Sequence, residues 1–590
     1  MEIAKDDQNL NQILLEETFY VLTKKNCVFK VRLTRQGLHL IKESEENHKE
    51  QVVPITDIVG CRCLRSKKQS KRCVCQSITR SGSLEVVEET SGDLDINDTS
   101  AYLYIYAYLF QNTKSSNKKR ERTIITLRFR SFDKFEDNNR EAQRWRTIIK
   151  KLIKGENVPN TSIVEFTTMH KLREDRKILV LCNPKSGAGK AKDLFQQKVV
   201  PVLQEAEIPF DLYLTKHANY AREFMRTNNV FQWTGIVTVG GDGIFFEVLN
   251  GIFERSDWAD VTRSIPIGIV PGGSGNGLAR SIAHYYSEPY MTTPVLPSAL
   301  AIVRNHSEFM DLVRVETTSQ IVFSFLSVGW GLLSDIDIES EKLRILGGQR
   351  FTIWSLARLI GLRSYGGKLW YLPAELPLVE QQNNLAFSSI VGSNVDLPSE
   401  VNLETKAGRP RVDSWYSANS RRSAYFSATG SSYQSAADSA GAVGASPNPA
   451  ERPRMYGPAS QIPAVLAPLP AKWECISGRF VMVHASYQSH LGEDALFAPD
   501  ATLNDGKIWL LIVHAGATRS QVLQFLLGLS TGAHATSKSS DGHVELIPVH
   551  AFRIEPDMTE EGYITVDGEL VEYGPIQAEI FPSLCRVMVP

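Results

Sequence analysis

Apolar and polar positions alternate through the first quarter of the chain. TFYVLTKKNCVFKVRLT, GLHLIKES, AYLYIYAYLF and RTIITLRFRSF each carry a period near two, which predicts strands with one buried face. NREAQRWRTIIKKLIKG switches to helical spacing and closes this β-rich region, taken as residues 1–160. From about 175 the texture changes. KILVLCNPKSGAGKAKDLFQQKVVPVL, GIVTVGGDGIFFEVLNGIF and IPIGIVPGGSGNGLARSIAHY each join an apolar strand, a glycine-rich turn and a helical run. Strands alternating with helices predict a parallel α/β domain over 175–310. Beyond it the pattern is rich in strands bounded by turns: FSFLSVGW, GRFVMVHASY, KIWLLIVHAG, HVELIPVHAFRIEP and YITVDGELVEYGPIQAEIFP. These predict a β-sandwich over 311–590, packed beside the α/β half. From about 398 to 469 the composition falls to Ser, Ala, Gly, Pro and Arg. Such a tract buries too little apolar surface to offset its ordering entropy, so a disordered insertion is expected there.

Composition narrows the partners. A net charge of −1 over 590 residues gives no global field for nucleic acid, so an anionic ligand must be held by local patches. The first residues, MEIAKDDQNLNQILLEETFYV, lack the basic start and apolar core of a signal peptide. No stretch approaches the roughly 20 apolar residues of a spanning helix. The richest, IWLLIVHAGATRSQVLQFLLGL, is interrupted by His514, Gly516 and Arg519. Eight cysteines in so long a chain make no disulfide scaffold. A reducing, cytoplasmic setting is the expectation. Cys61, Cys63, Cys73 and Cys75 pair as C-x-C, which is closer than structural zinc spacing. Alternate residues on a strand put both thiols of a pair on one face without a metal. Lys67, Lys68, Lys71 and Arg72, and the run from Lys118 to Arg122, read as solvated basic loops.

The glycine-rich turns hold the candidate chemistry. Asn183 to Lys190 follows a buried-type strand and opens a helix, where backbone amides suit a phosphate. It is not a Walker A loop, because Ala191 after Lys190 supplies no hydroxyl for magnesium. Gly240-Gly241-Asp242-Gly243 lets the backbone approach a nucleotide and holds one acid at the turn. Pro271 to Gly277 repeats this after IPIGIV, with Gly272, Gly273, Gly275 and Gly277 in a short span. Loops at the carboxyl ends of adjacent parallel strands converge on one crevice. Val566-Asp567-Gly568-Glu569 adds two acids at a turn, which a hairpin alone would also explain. Together these groups meet the needs of phosphoryl transfer: positioning of phosphate, neutralisation of charge, and a base for the attacking hydroxyl.

The set NPKSGAGKA, GGDGIFFEVLNG, PGGSGNGLA, FLSVGWGLLSDIDIESEKLRILGGQRF and VDGE resembles the diacylglycerol kinase catalytic family, nearest its sphingosine kinase branch. The resemblance covers about 175 to 380 and 470 to 590. It implies a nucleotide domain, a lipid-binding β-sandwich, ATP with Mg2+ in the cleft between them, and a sphingoid-base substrate. It further implies Asp242 as general base, with Asn183, Lys185, Thr215, Gly241, Gly243, Glu247, Gly273, Ser274, Gly275, Gly568 and Glu569 around the nucleotide. Arg344 and Arg350 match the pair that clamps phosphates, and Asp567 the metal end of the site. Ser327 and Asp337 match the groups that meet the lipid head. Leu332, Leu333, Phe351, Phe525 and Leu529 match slot walls, with His534 at the far end. The family usually has Arg where Lys185 stands. Gly240 before Gly-Asp-Gly is the form found in diacylglycerol and ceramide kinases, which makes them the nearest rivals. A non-catalytic lipid-binding scaffold is the alternative from another class. The first 160 residues resemble a pleckstrin-homology-like module. Peripheral membrane contact is expected, a homodimer stays open, and Ser446-Pro447 is a candidate phosphorylation site.

Overall fold

The computed structural model describes residues 12–21, 27–43, 49–64, 99–112, 118–156, 158, 176–273, 275–340, 349–374, 413–414, 454–536 and 542–590. Near the start, Ile13–Val21, Cys27–Thr34, Gly37–Glu43 and Lys49–Pro54 form a four-stranded sheet. Ile58–Leu64, Ala101–Asn112 and Lys118–Phe129 form a three-stranded one. Helix Phe135–Ile153 closes the open side, and its Trp145 meets Phe19 edge-on at 6.2 Å. Alternating residues such as Leu103, Ile105, Ile125 and Leu127 supply the core between the layers. Cys61 and Cys63 share one face of Ile58–Leu64, and burial pushes both thiols up to about 12. They are protonated packing groups; Cys73 and Cys75 lie outside the described residues.

The basic run at 118–122 corrects an expectation. It opens strand Lys118–Phe129 instead of forming a loop, and Arg120 is 5% exposed. Arg120 donates to Asp57 at 2.8 Å and, through two nitrogens, to Glu288 at 2.7 Å. A desolvated guanidinium must be paired in this way. Asp57 belongs to the β-rich region and Glu288 to the α/β domain, so the ion cluster fastens one to the other.

The α/β domain has the predicted parallel sheet. Its strands run in the order Phe210–Leu214, Ile178–Cys182, Gly235–Gly240, Ile267–Pro271, all parallel. The three glycine-rich turns leave the carboxyl ends of three adjacent strands. Ile576–Val589, near the chain end, then joins the sheet beside Ile267 and pairs antiparallel with His306–Thr317. The expected boundary at 310/311 therefore falls inside a strand, and the sheet runs on into the sandwich without a linker. Further strands there include Ser327–Gly331, Glu474–Ser486, Ile508–His514 and Val544–Pro556.

The strand Ser327–Gly331 ends before the two acids Asp335 and Asp337, which helix Leu332–Ser340 carries. Asp335 is buried and accepts from the Tyr365 hydroxyl at 2.6 Å. The tract expected to be disordered to 469 is ordered from 454. Tyr456 N–H donates to the Phe253 carbonyl, Ser460 bonds Glu579, and the buried Arg553 donates to the carbonyls of Ala464 and Ala467. The segment lacks apolar periodicity because its backbone polar groups, not a side-chain stripe, hold it down. The rest of the tract, Ser446 included, lies outside the described residues except 413–414. Among the described residues no helix is long and apolar enough to cross a membrane.

Candidate functional site

The three loops interlock at the top of the sheet. Gly272 N–H donates to the Gly240 carbonyl at 2.8 Å, and Asp242 N–H to the Gly275 carbonyl at 3.3 Å. A methyl on Gly273 would lie 2.4 Å from the Gly241 Cα, so side chains at this crossing would force the loops apart. In the first loop the Asn183 side chain accepts from the Lys185 N–H at 3.0 Å, and Lys185 itself is exposed. Thr215 follows the neighbouring strand, its N–H on the Cys182 carbonyl.

Asp242 begins helix Asp242–Phe253 and is 7% exposed. Its carboxylate accepts from the Gly277 N–H at 2.8 Å and more weakly from Leu278 at 3.4 Å, the first amides of helix Gly277–Tyr285. Burial pushes its pKa up to about 6 against those two bonds, with the Glu493 charge adding to the rise. A carboxyl poised there is a base at neutral pH that still binds a proton usefully. Asn276 lies within the third glycine-rich loop, whereas no motif marks Glu493. Asn276 donates to Glu493 at 2.8 Å while clasping both backbone groups of Gly273. They set the third loop and the field at Asp242, and only the folded chain brings Glu493 there.

The sandwich contributes the turn Asp567-Gly568-Glu569. A methyl on Gly243 would lie 3.0 Å from Glu569 Oε1, and one on Gly568 would lie 3.3 Å from Asp337 Oδ2. The turn thus bridges the Asp242 loop and helix Leu332–Ser340. Ser327 opens strand Ser327–Gly331 behind the turn, with its N–H on Asp567.

One residue departs from its expected role. Asp567 was matched to a metal ligand, yet its carboxylate is spent inward. It accepts from the Ser324 hydroxyl at 2.6 Å and from the N–H groups of Phe325, Leu326 and Ser327 at 2.9–3.0 Å. Asp567 is the latch of that turn. Glu247, matched to the nucleotide, is half-buried, accepts from the N–H groups of Asn219 and Ala221 at 3.0 Å and fixes the start of helix Tyr220–Thr227.

Leu332, Phe525 and Leu529 fall in one buried cluster with Leu333 packed on it. His534 stands beside Phe525 and holds the Phe497 carbonyl at 2.7 Å. Ser274 and Arg344 lie outside the described residues, as do the side chains of Arg350 and Phe351, which stand near the start of helix Gln349–Ile360.

Comparison with known proteins agrees with this architecture. The diacylglycerol kinase catalytic domain matches residues 177–315, and the YegS C-terminal NAD kinase beta sandwich-like domain matches 472–589. Human sphingosine kinase 2 is 31% identical, the match covering 94% of this chain and 88% of that protein. Human sphingosine kinase 1 is 33% identical over 69% of this chain and 89% of its own. Sphingosine kinase 1 of Arabidopsis thaliana is 30% identical over 68% and 70% respectively. With such identity across most of the length of its relatives, the chain belongs to the sphingosine kinase family.

Proposed function

We propose that this chain transfers the γ-phosphate of ATP to the primary hydroxyl of a sphingoid base, with Asp242 as the general base. The observation that carries the proposal is the placing of Asp242 and Asp337 on either side of one turn. A methyl on Gly243 would lie 3.0 Å from Glu569, and one on Gly568 would lie 3.3 Å from Asp337, so the Asp567–Glu569 turn links the Asp242 loop to the helix of Asp337. This supports a substrate hydroxyl received on that side of the turn, with Asp242 as its base and Asp337 as the head-group acid.

The residues then divide the work. The interlocked loops at Asn183–Lys185, Gly241–Gly243 and Gly273–Gly275 present backbone to the phosphates, where side chains would exclude them. Asp242 takes the proton of the attacking hydroxyl, and its raised pKa suits that transfer near neutral pH. Asp337 faces the head group, where a carboxylate gains a charge-assisted bond from an ammonium and nothing comparable from the amide of ceramide. The cluster of Leu332, Phe525 and Leu529 takes the tail. Magnesium is expected from the family resemblance. When bound, Mg2+ would be held by the nucleotide's phosphates with one or two carboxylates of the cleft, which needs no cage of three or more protein ligands; among the described residues no such cage is present. Peripheral membrane contact belongs to the same proposal. Ile353, Leu356 and Ile360 on helix Gln349–Ile360 are 49%, 61% and 71% exposed, and Trp354 and Leu359 of the same helix pack against the slot.

Labelled ATP offered with sphingosine, ceramide and diacylglycerol in separate detergent dispersions tests the reading. Label should enter sphingosine. Faster labelling of ceramide or diacylglycerol would overturn the substrate assignment.

A further inference from the structure

One buried histidine, packed near Phe497 of the apolar cluster assigned to the lipid tail, has no hydrogen-bond partner. His484 lies in strand Glu474–Ser486 and is 6% exposed, with both ring nitrogens unbonded. Other buried histidines have at least one bond each: His490 bonds Ser489, and His534 bonds the Phe497 carbonyl. An imidazole left this way in an apolar setting costs stability unless something pairs with it.

Its position indicates what that something is. Ser327 pairs with Ser486 and Gly329 with His484 across the same two strands. Successive rungs on one face of a sheet lie two residues apart, or about 6.6 Å. The neighbouring residues Val328 and Trp330 point into the sandwich core, so Ser327 and Gly329 face the opposite side, toward the slot. Gly329 is small for a reason. A methyl there would meet His484 Nδ1 and Ser334 Oγ, each at 2.6 Å. Ser334 is already paired with Thr565 at 2.9 Å, and the far side of the imidazole rests on Phe497. His484 therefore stands one rung beyond the head-group residue Ser327, at the threshold of the apolar wall.

We propose that His484 is a specificity-determining residue that pairs with a chain hydroxyl of the substrate, so that the enzyme favours sphingoid bases hydroxylated a few carbons beyond the amine. The inference rests on the sphingoid-base reading above. A hydroxyl both donates and accepts, which matches the one donor and one acceptor of a neutral imidazole. Burial pushes the ring's pKa down to about 3, so it stays neutral at physiological pH. An unhydroxylated chain leaves the ring unpaired, and sites of this type discriminate against the analogue that lacks the hydroxyl.

The test uses the full chain, labelled ATP, and two bases of equal length, sphinganine and 4-hydroxysphinganine. The wild type should favour the hydroxylated base in kcat/KM by roughly 10-fold or more. His484→Leu should bring that ratio close to one, and His484→Gln, which keeps a donor and an acceptor, should retain most of it. Without lipid, His484→Leu should melt above the wild type, because an unpaired polar group has been removed. Equal use of the two bases by the wild type would overturn the inference alone, and so would a preference that survives His484→Leu or a lower melting temperature in that variant. Failure to phosphorylate either base would overturn the sphingoid-base reading, and this inference with it.

Discussion

Asp242 and Asp567 stand on opposite domains of one cleft and are buried alike, at 7% and 5% exposure. Burial raises both pKa values, to about 6 and about 7. They differ in how their lone pairs are used. Asp242 accepts two amides, one of them at 3.4 Å. Asp567 accepts three amides and a hydroxyl, all within 3.0 Å. The first keeps capacity for a proton from outside, while the second is consumed in holding Ser324 to Ser327. Residue type and burial therefore do not assign a role to a cleft acid. The number of inward donors does.

Substitution should separate the two acids sharply. Asp242→Asn should keep nucleotide binding and lose about 10²–10⁴ in turnover, the usual cost of removing a general base. Near-normal turnover would erase the distinction. Asp567→Ala should act on stability first, because it strands three buried amides, while the Ser324 hydroxyl keeps Tyr487 as a partner. A loss of at least about 3 kcal/mol in denaturant unfolding is expected, since each unpaired donor costs about 1–3 kcal/mol. Equal stability with impaired Mg2+ response would return Asp567 to the metal.

The pH dependence sharpens the comparison further. An acid whose folded pKa lies above its unfolded value stabilises the fold when protonated, at low pH, and that contribution is lost as pH rises through the folded value. For Asp242 the loss falls between about pH 4 and 6. Asp242→Asn should therefore be more stable than the wild type at pH 8, by up to about 3 kcal/mol, with the gap closing below pH 6. Catalysis has the opposite sign, because the base must be unprotonated. The kcat/KM of the wild type should rise with pH through an apparent pKa near 6. The smallest effect concerns Glu493, whose charge helps raise the Asp242 pKa. Glu493→Gln should move that acid limb to lower pH by a few tenths of a unit; a limb that stays in place would mean that burial alone sets it.

The strand, glycine-turn and helix units of the α/β domain were legible because each is a local pattern. An apolar run, a turn that needs glycine and a 3.6-residue period fix their element wherever the chain lies. The convergence of the three turns then followed from parallel order. What the sequence left open were choices among partners distant in the chain. Arg120 looked like a solvated cation until Asp57 and Glu288 closed around it. Residues 454–469 had no core pattern, and their order comes from backbone bonds to Arg553, Glu579 and Phe253. Asp567 sat in the right motif, yet whether it faced a ligand or its own fold depended on amides some 240 positions away. Local sequence determined the elements and the chemistry available at their ends. Tertiary structure decided which of those groups were already satisfied, because a buried polar group takes whatever partner the fold brings within hydrogen-bond reach.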